Sequence, residues 1–222
     1  MLHALYAYFY KYPSKERLAS EACEIEIDIL GEPIGKQDQY AASYGGLNFV
    51  TFHSNESVNV EPIIMAPNKY KELERSLLFF YLGGTRSARD ILNGQCENIN
   101  RDKARFNCLV RMTELAKALR DSLSSGRLDD VGPVLNEGWN LKKNLSDKIS
   151  DDRIDFYYES AKKNGAVGGK LLGAGGSGFL MLYCDETYQD RVRRALNGLK
   201  EYKFSFDNFG TKVIYVGENE KY

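Results

Sequence analysis

Apolar residues in the first third of the chain recur at helical steps. Ala19, Ala22, Ile25 and Ile29 predict one buried helix face over residues 14–29. Ser14 stands ahead as N-cap with Glu16 in the first turn, and Gly31-Glu32-Pro33 ends the run. An aromatic-rich helix over 2–11 precedes it, and residues 39–43 read as a short helix after it. Two strands follow, over 46–53 and 58–65, joined by the polar turn Ser54-Asn55-Glu56. Further on, residues 76–82 form a short apolar strand ending at Gly83-Gly84. Helical patterns then cover 88–119, 128–145, 154–163 and 191–199. The apolar stretch 179–184 is a buried strand, and 202–206 with 212–216 predicts a closing hairpin turned at 208–210. These elements divide into a first piece over residues 1–67 and a second over 68–222, and together they predict an α+β sandwich.

One stretch breaks the periodic pattern. In the run from Gly168 to Gly178, eight of the eleven residues are Gly, Ala or Ser. Such a loop lets backbone amides approach an anion closely, as a phosphate requires. The same residues also suit a tight turn before a strand, and the run alone does not separate the two.

Composition narrows the partners. Net charge is -1 and the lysines and arginines are interspersed with acids, so no basic face for nucleic acid is expected. No apolar run approaches the roughly 20 residues that span a bilayer. The opening residues lack a signal-peptide layout, because Lys11 and Lys15 follow the apolar part. Cys23, Cys96, Cys108 and Cys184 are scattered without metal-like spacing, which fits free thiols in a reducing, cytoplasmic compartment. A chain of 222 residues buries one or two modest cores.

A second stretch changes the reading of the glycine run. Gly35-Lys36-Gln37-Asp38-Gln39-Tyr40-Ala41-Ala42 and the late Lys170-Leu171-Leu172-Gly173-Ala174-Gly175-Gly176-Ser177-Gly178 resemble two signature regions of the GHMP family of small-molecule kinases. Thr85-Arg86-Ser87-Ala88 and Glu137-Gly138-Trp139 with Lys142 are similar to the branch acting on D-glycero-D-manno-heptose 7-phosphate. The resemblance implies a two-domain sandwich: a partial S5-like N-terminal domain over 1–67 and a ferredoxin-like C-terminal domain over 68–222. It implies ATP and Mg²⁺ as cofactors and a sugar phosphate as acceptor, phosphorylated at its anomeric hydroxyl for nucleotide-sugar synthesis.

By the same resemblance, Asp38 acts as the base or orienting carboxylate and Glu26 as the Mg²⁺ ligand. Gly173, Gly175, Gly176 and Ser177 line the nucleotide, while Gly35, Gln39, Thr85, Arg86 and Lys142 hold the sugar phosphate. The residues alone leave other readings open. Asp38 suits a helix N-cap, Glu26 belongs to a solvated acidic face with Glu21, Glu24 and Asp28, and Lys142 suits a surface lysine beside a core Trp139. Lys170 either points into the site or covers the sheet edge. Where the branch pattern has a threonine ahead of its first glycine, this chain has Leu82. It also contains no Pro-x-x-x-Gly-Leu-Gly-Ser-Ser-Ala loop, so an N-terminally truncated kinase is expected. The alternative function is a catalytically incomplete fragment that binds a sugar phosphate or a partner.

Overall fold

The computed structural model describes residues 1–84, 89, 91, 92, 94 and 102–215. The chain divides into two compact units, residues 1–62 with 206–222, and residues 63–205.

The first unit opens with helices α1 (Leu2–Tyr8) and α2 (Lys15–Cys23). Ser14 caps α2 as expected, its Oγ accepting from the Arg17 amide at 3.1 Å. The helix does not continue unchanged to Ile29: Glu24–Ile29 is a π-helical segment. Helix α3 (Gln37–Tyr44) and the hairpin β1 (Asn48–Phe52) and β2 (Val58–Pro62) complete the unit. The hairpin pairs antiparallel from Asn48↔Pro62 to Phe52↔Val58. Ala19, Cys23 and Tyr40 form its core, with Val58 and Val60 packed against them. Glu16 ties α2 to α3 by accepting from the Tyr40 hydroxyl at 2.8 Å and the Tyr44 hydroxyl at 2.9 Å.

Among the described residues the expected C-terminal hairpin does not form. Residues 206–215 instead return to α3, where the Gly46 amide donates to Asp207 O (2.6 Å) and the Thr211 amide to Ala42 O (3.0 Å). The reason is a backbone contact that only glycine permits. A Cβ on Gly45 would lie 2.0 Å from the Gly210 nitrogen, and both residues have positive φ.

The second unit runs α4 (Pro67–Arg75), β3 (Leu77–Tyr81), α5 (Lys103–Ser124), α6 (Val131–Lys143), α7 (Asp152–Lys163), β4 (Ala166–Leu171), β5 (Phe179–Cys184), α8 (Gln189–Ala195) and β6 (Lys200–Tyr202). The sheet order is β4-β5-β3-β6, all pairs antiparallel. Outer strands that are second and last in sequence give the β-α-β-β-α-β arrangement of a ferredoxin-like domain. Helix α4 was not foreseen, because its sequence is mostly polar and charged and only Leu73 of it is buried. The expected helix over 88–119 begins outside the described residues, and its described part extends to Ser124.

Strand β4 occupies ground that the sequence assigned to the glycine run. Gly168 and Gly169 are strand residues, and they are small for packing. A Cβ on Gly168 would lie 2.0 Å from Gly132 O and 2.9 Å from Asn136 of α6. Helix α6 therefore lies directly on the strand backbone. The core beneath holds Phe80, Trp139, Ile149, Ile154, Tyr158, Leu171, Leu180 and Leu182.

Candidate functional site

In the first unit, the π segment and the first turn of α3 open onto a cavity of about 400 Å³. Leu18, Ala22, Ile25 and Ile34 form its apolar wall, and Glu26, Asp38, Gln39 and Ser43 its polar one. Asp38 is not the N-cap that its sequence position allowed. Lys36 holds that position, and Asp38 sits in the first helical turn, exposed at the cavity. Amides at a helix start favour a carboxylate there.

The acidic face that Glu26 was grouped with splits: Glu21, half-buried, is taken by Tyr6 and Arg17. Glu24 and Asp28 are exposed, whereas Glu26 is half-buried and accepts from Gln39 Nε2 at 2.6 Å. That bond fixes the Gln39 amide, whose residue is only 7% exposed, and leaves Oε1 buried without a partner among the described residues. π-helical turns of this kind recur at functional sites. Gly35 lies at a separate, smaller cavity with Lys36, Phe52, His53 and Glu56, where Lys36 and Glu56 form an ion pair.

In the second unit, the loop between β4 and β5 is held in conformations that favour glycine: φ is +87° at Gly173, +126° at Gly175, +72° at Gly176 and +113° at Gly178. Its inner side is fastened to the core. The Gly176 amide donates to Ile149 O at 2.9 Å, and a Cβ on Gly175 would meet Ile149 Cα at 2.9 Å. The outer side is open. A Cβ on Gly173 meets nothing within 4 Å. The amides of Gly173, Ala174, Gly175 and Ser177 have no protein acceptor among the described residues. Gly176 is thus an anchor, and amides left without an acceptor beside it are the kind of donors that suit an anion.

Residues 115–201 match the family described as GHMP kinases, C terminal. The chain is 32% identical over 197 residues to D-glycero-alpha-D-manno-heptose 7-phosphate kinase of Campylobacter jejuni, a match covering 88% of this chain and 58% of the relative. The chain carries a GHMP kinase C-terminal domain. It is 30% identical over 200 residues to the bifunctional fucokinase/GDP-fucose pyrophosphorylase of Arabidopsis thaliana, covering 88% of this chain and 19% of that protein. Among solved structures, a D-glycero-D-manno-heptose 1-phosphate kinase from Bacteroides thetaiotaomicron superposes with a TM-score of 0.71 at 26% identity. That match covers 96% of this chain and 60% of the other. The chain therefore spans little more than half the length of these heptose kinases.

The remaining expected site residues divide in two. Thr85 and Arg86 lie outside the described residues. Lys142 is half-buried at the C-terminal end of α6 and donates from Nζ to Gly173 O at 2.6 Å. Burial, reinforced by the like charge of Lys170, pushes its ammonium down to about 8. Trp139 is a core residue, as the plainer reading held.

The carboxylates at the cavity of the first unit suit Mg²⁺. Among the described residues no three His, Cys, Asp or Glu side chains cluster as a metal cage. Glu26 and Asp38 on one cavity wall match the one or two carboxylates that Mg²⁺ takes beside phosphate and water. Sequence reasoning missed His3 and Thr211, which are hydrogen-bonded at 3.2 Å and line the same cavity. No spacing in the chain links residues 208 positions apart. Lys170, read from the sequence as either pointing into the site or covering the sheet edge, lies half-buried on β4. Among the described residues no helix is long and apolar enough to cross a membrane.

Proposed function

We propose that this chain is an ATP-dependent sugar kinase of the cytoplasm, phosphorylating the anomeric hydroxyl of D-glycero-D-manno-heptose 7-phosphate. The observation that carries the proposal is the shared wall of Glu26, Asp38 and Gln39 in one cavity. Likeness to the Campylobacter heptose 7-phosphate kinase supports the choice of acceptor.

Asp38 presents an exposed carboxylate beside a 400 Å³ cavity of sugar-sized volume. It orients the attacking hydroxyl and accepts its proton. Glu26, held by the Gln39 amide, is the residue that would hold Mg²⁺. The free amides of Gly173, Ala174, Gly175 and Ser177 would take phosphate oxygens without reorganising. Mg-ATP, when bound, supplies the transferable phosphoryl group. Thr85 and Arg86, a guanidinium at an expected helix start, would hold the sugar's own phosphate.

The test is heptose-dependent ADP release by the purified chain with Mg-ATP. Turnover that falls by about 10²–10⁴ in Asp38→Asn is the expected result. A folded chain with no heptose-dependent release, or an Asp38→Asn variant as active as its parent, would refute the proposal.

A further inference from the structure

The cavity of the first unit has a second set of polar groups. Besides Glu26, Asp38 and Gln39, its lining includes Ser43 of α3, His3 of α1 and Thr211 of the returning C-terminal segment. Gln39 and Ser43 stand four residues apart and so share one face of α3. From Asp38 to Ser43 the helix climbs about 7.5 Å, a span comparable to a sugar ring with its side chain. The returning segment is held firmly. The Thr211 amide donates to Ala42 O at 3.0 Å, and Lys15 donates to Tyr44 O at 2.6 Å and to Phe209 O at 2.9 Å. The Asp207 side chain accepts from the Phe209 amide at 2.8 Å and stiffens the turn. Thr211 thus has a fixed backbone, and its Oγ1 lies 3.2 Å from His3 Nδ1.

All three side chains keep unused hydrogen-bonding capacity. Ser43 is only 6% exposed, and its hydroxyl has no hydrogen-bond partner among the described residues. It is not sealed as Gln39 Oε1 is, so the exposed remainder of Ser43 includes the oxygen. His3 has one ring nitrogen beside Thr211 and the other without a partner among the described residues, and the Thr211 hydroxyl can make a further bond. A hydroxyl set this deep is bonded by whatever fills the cavity. The chemistry of these groups selects the ligand. Among the described residues no lysine or arginine lines the cavity and two carboxylates do, which disfavours the sugar's own phosphate there. Hydroxyls and imidazole both donate and accept, as a sugar hydroxyl does. Leu18, Ile34 and Ala42 supply apolar surface for ring carbons.

We infer that Ser43, His3 and Thr211 are specificity-determining residues that read the ring hydroxyls of a sugar acceptor while Asp38 orients the reacting one. Only the role of Asp38 in this rests on the phosphoryl-transfer reading. Ser43 bonds one ring hydroxyl, and the His3–Thr211 pair holds another. A sugar lacking either hydroxyl leaves a desolvated protein group unpaired and is rejected for that reason.

Calorimetric titrations of heptose 7-phosphate and its singly deoxygenated analogues into the full chain, without ATP, test the pocket alongside thermal melts. The parent should bind the heptose, and at least one deoxy analogue about tenfold more weakly. Ser43→Ala and Thr211→Val, which lose a hydroxyl at nearly constant volume, should each weaken the heptose about fivefold. Each should also cease to discriminate against one deoxy analogue, the coupling that direct contact produces. Ser43→Ala should melt no lower than the parent, because its hydroxyl serves no bond within the described chain, and Thr211→Ser should keep the parent's affinity. Deoxy preferences unchanged in both variants would overturn the inference, as would a folded parent chain that binds no sugar. Sugar binding with these signatures but without ADP release refutes the phosphoryl-transfer reading alone. ADP release with unaltered discrimination in the variants refutes the hydroxyl pocket alone.

Discussion

Replacing Gly168 by alanine tests the contact that sets the glycine loop in place. The added Cβ would lie 2.0 Å from Gly132 O and 2.9 Å from both the nitrogen and the Cβ of Asn136. The opposing oxygen is helix backbone, so no side-chain rotation relieves the overlap. Restoring ordinary contact requires α6 and β4 to part by about 1 Å, which forfeits a quarter to a half of the dispersion energy across the gap. Overpacking of this kind costs about 1–3 kcal/mol, and a backbone clash belongs at the upper end. About 3 kcal/mol corresponds to roughly 6–12 °C in Tm for a chain of this size. The single tryptophan, Trp139, lies in α6 at 1% exposure, so its fluorescence in a urea titration reports this unit. Gly138→Ala is the control: it sits in the same helix with nothing within 4 Å of the new Cβ, and should gain about 0.5–1 kcal/mol. A Gly168→Ala chain with the parent's urea midpoint would refute the packing argument.

Other consequences follow from the same structure. Glu16→Ala removes the acceptor of the Tyr40 and Tyr44 hydroxyls and should cost about 1–3 kcal/mol in thermal unfolding. Glu24→Ala, at an exposed position, should stay within about 0.5 kcal/mol. Lys142 is depressed to about 8 from 10.5, so between those values the unfolded chain binds more protons and this group's contribution to stability rises with pH. The stability deficit of the parent relative to Lys142→Met should therefore shrink from pH 7 to pH 10 in thermal melts, and a constant difference would contradict the assignment. Burial and Glu16 raise the Tyr40 hydroxyl above its ordinary 10.0, so its contribution is lost as pH climbs beyond that value. A Tyr40→Phe chain should accordingly show a shallower alkaline fall in Tm than the parent.

Much of the architecture was legible in the chain itself. The Ser14 cap, the strands at 77–81 and 179–184 and the helix around Trp139 follow from local periodicity and capping, which depend on neighbours a few residues away. The motif residues Asp38, Gln39 and Gly173 to Ser177 were readable for the same reason, being contiguous. Tertiary contact decided the rest. Whether Gly168 served an anion or a helix depended on Gly132 and Asn136, more than thirty residues earlier. The predicted C-terminal hairpin lost to a backbone contact between Gly45 and Gly210 that no local pattern encodes. Glu26 left the acidic face for Gln39 through a π-helical segment that helical periodicity does not announce. The sequence by itself determined most of the helices and strands and the motifs they carry, because propensity and hydrophobic period act locally. Only the tertiary structure decided which glycines pack and that Lys142 and Lys170 are both partly buried, because close approach and desolvation arise between residues distant along the chain.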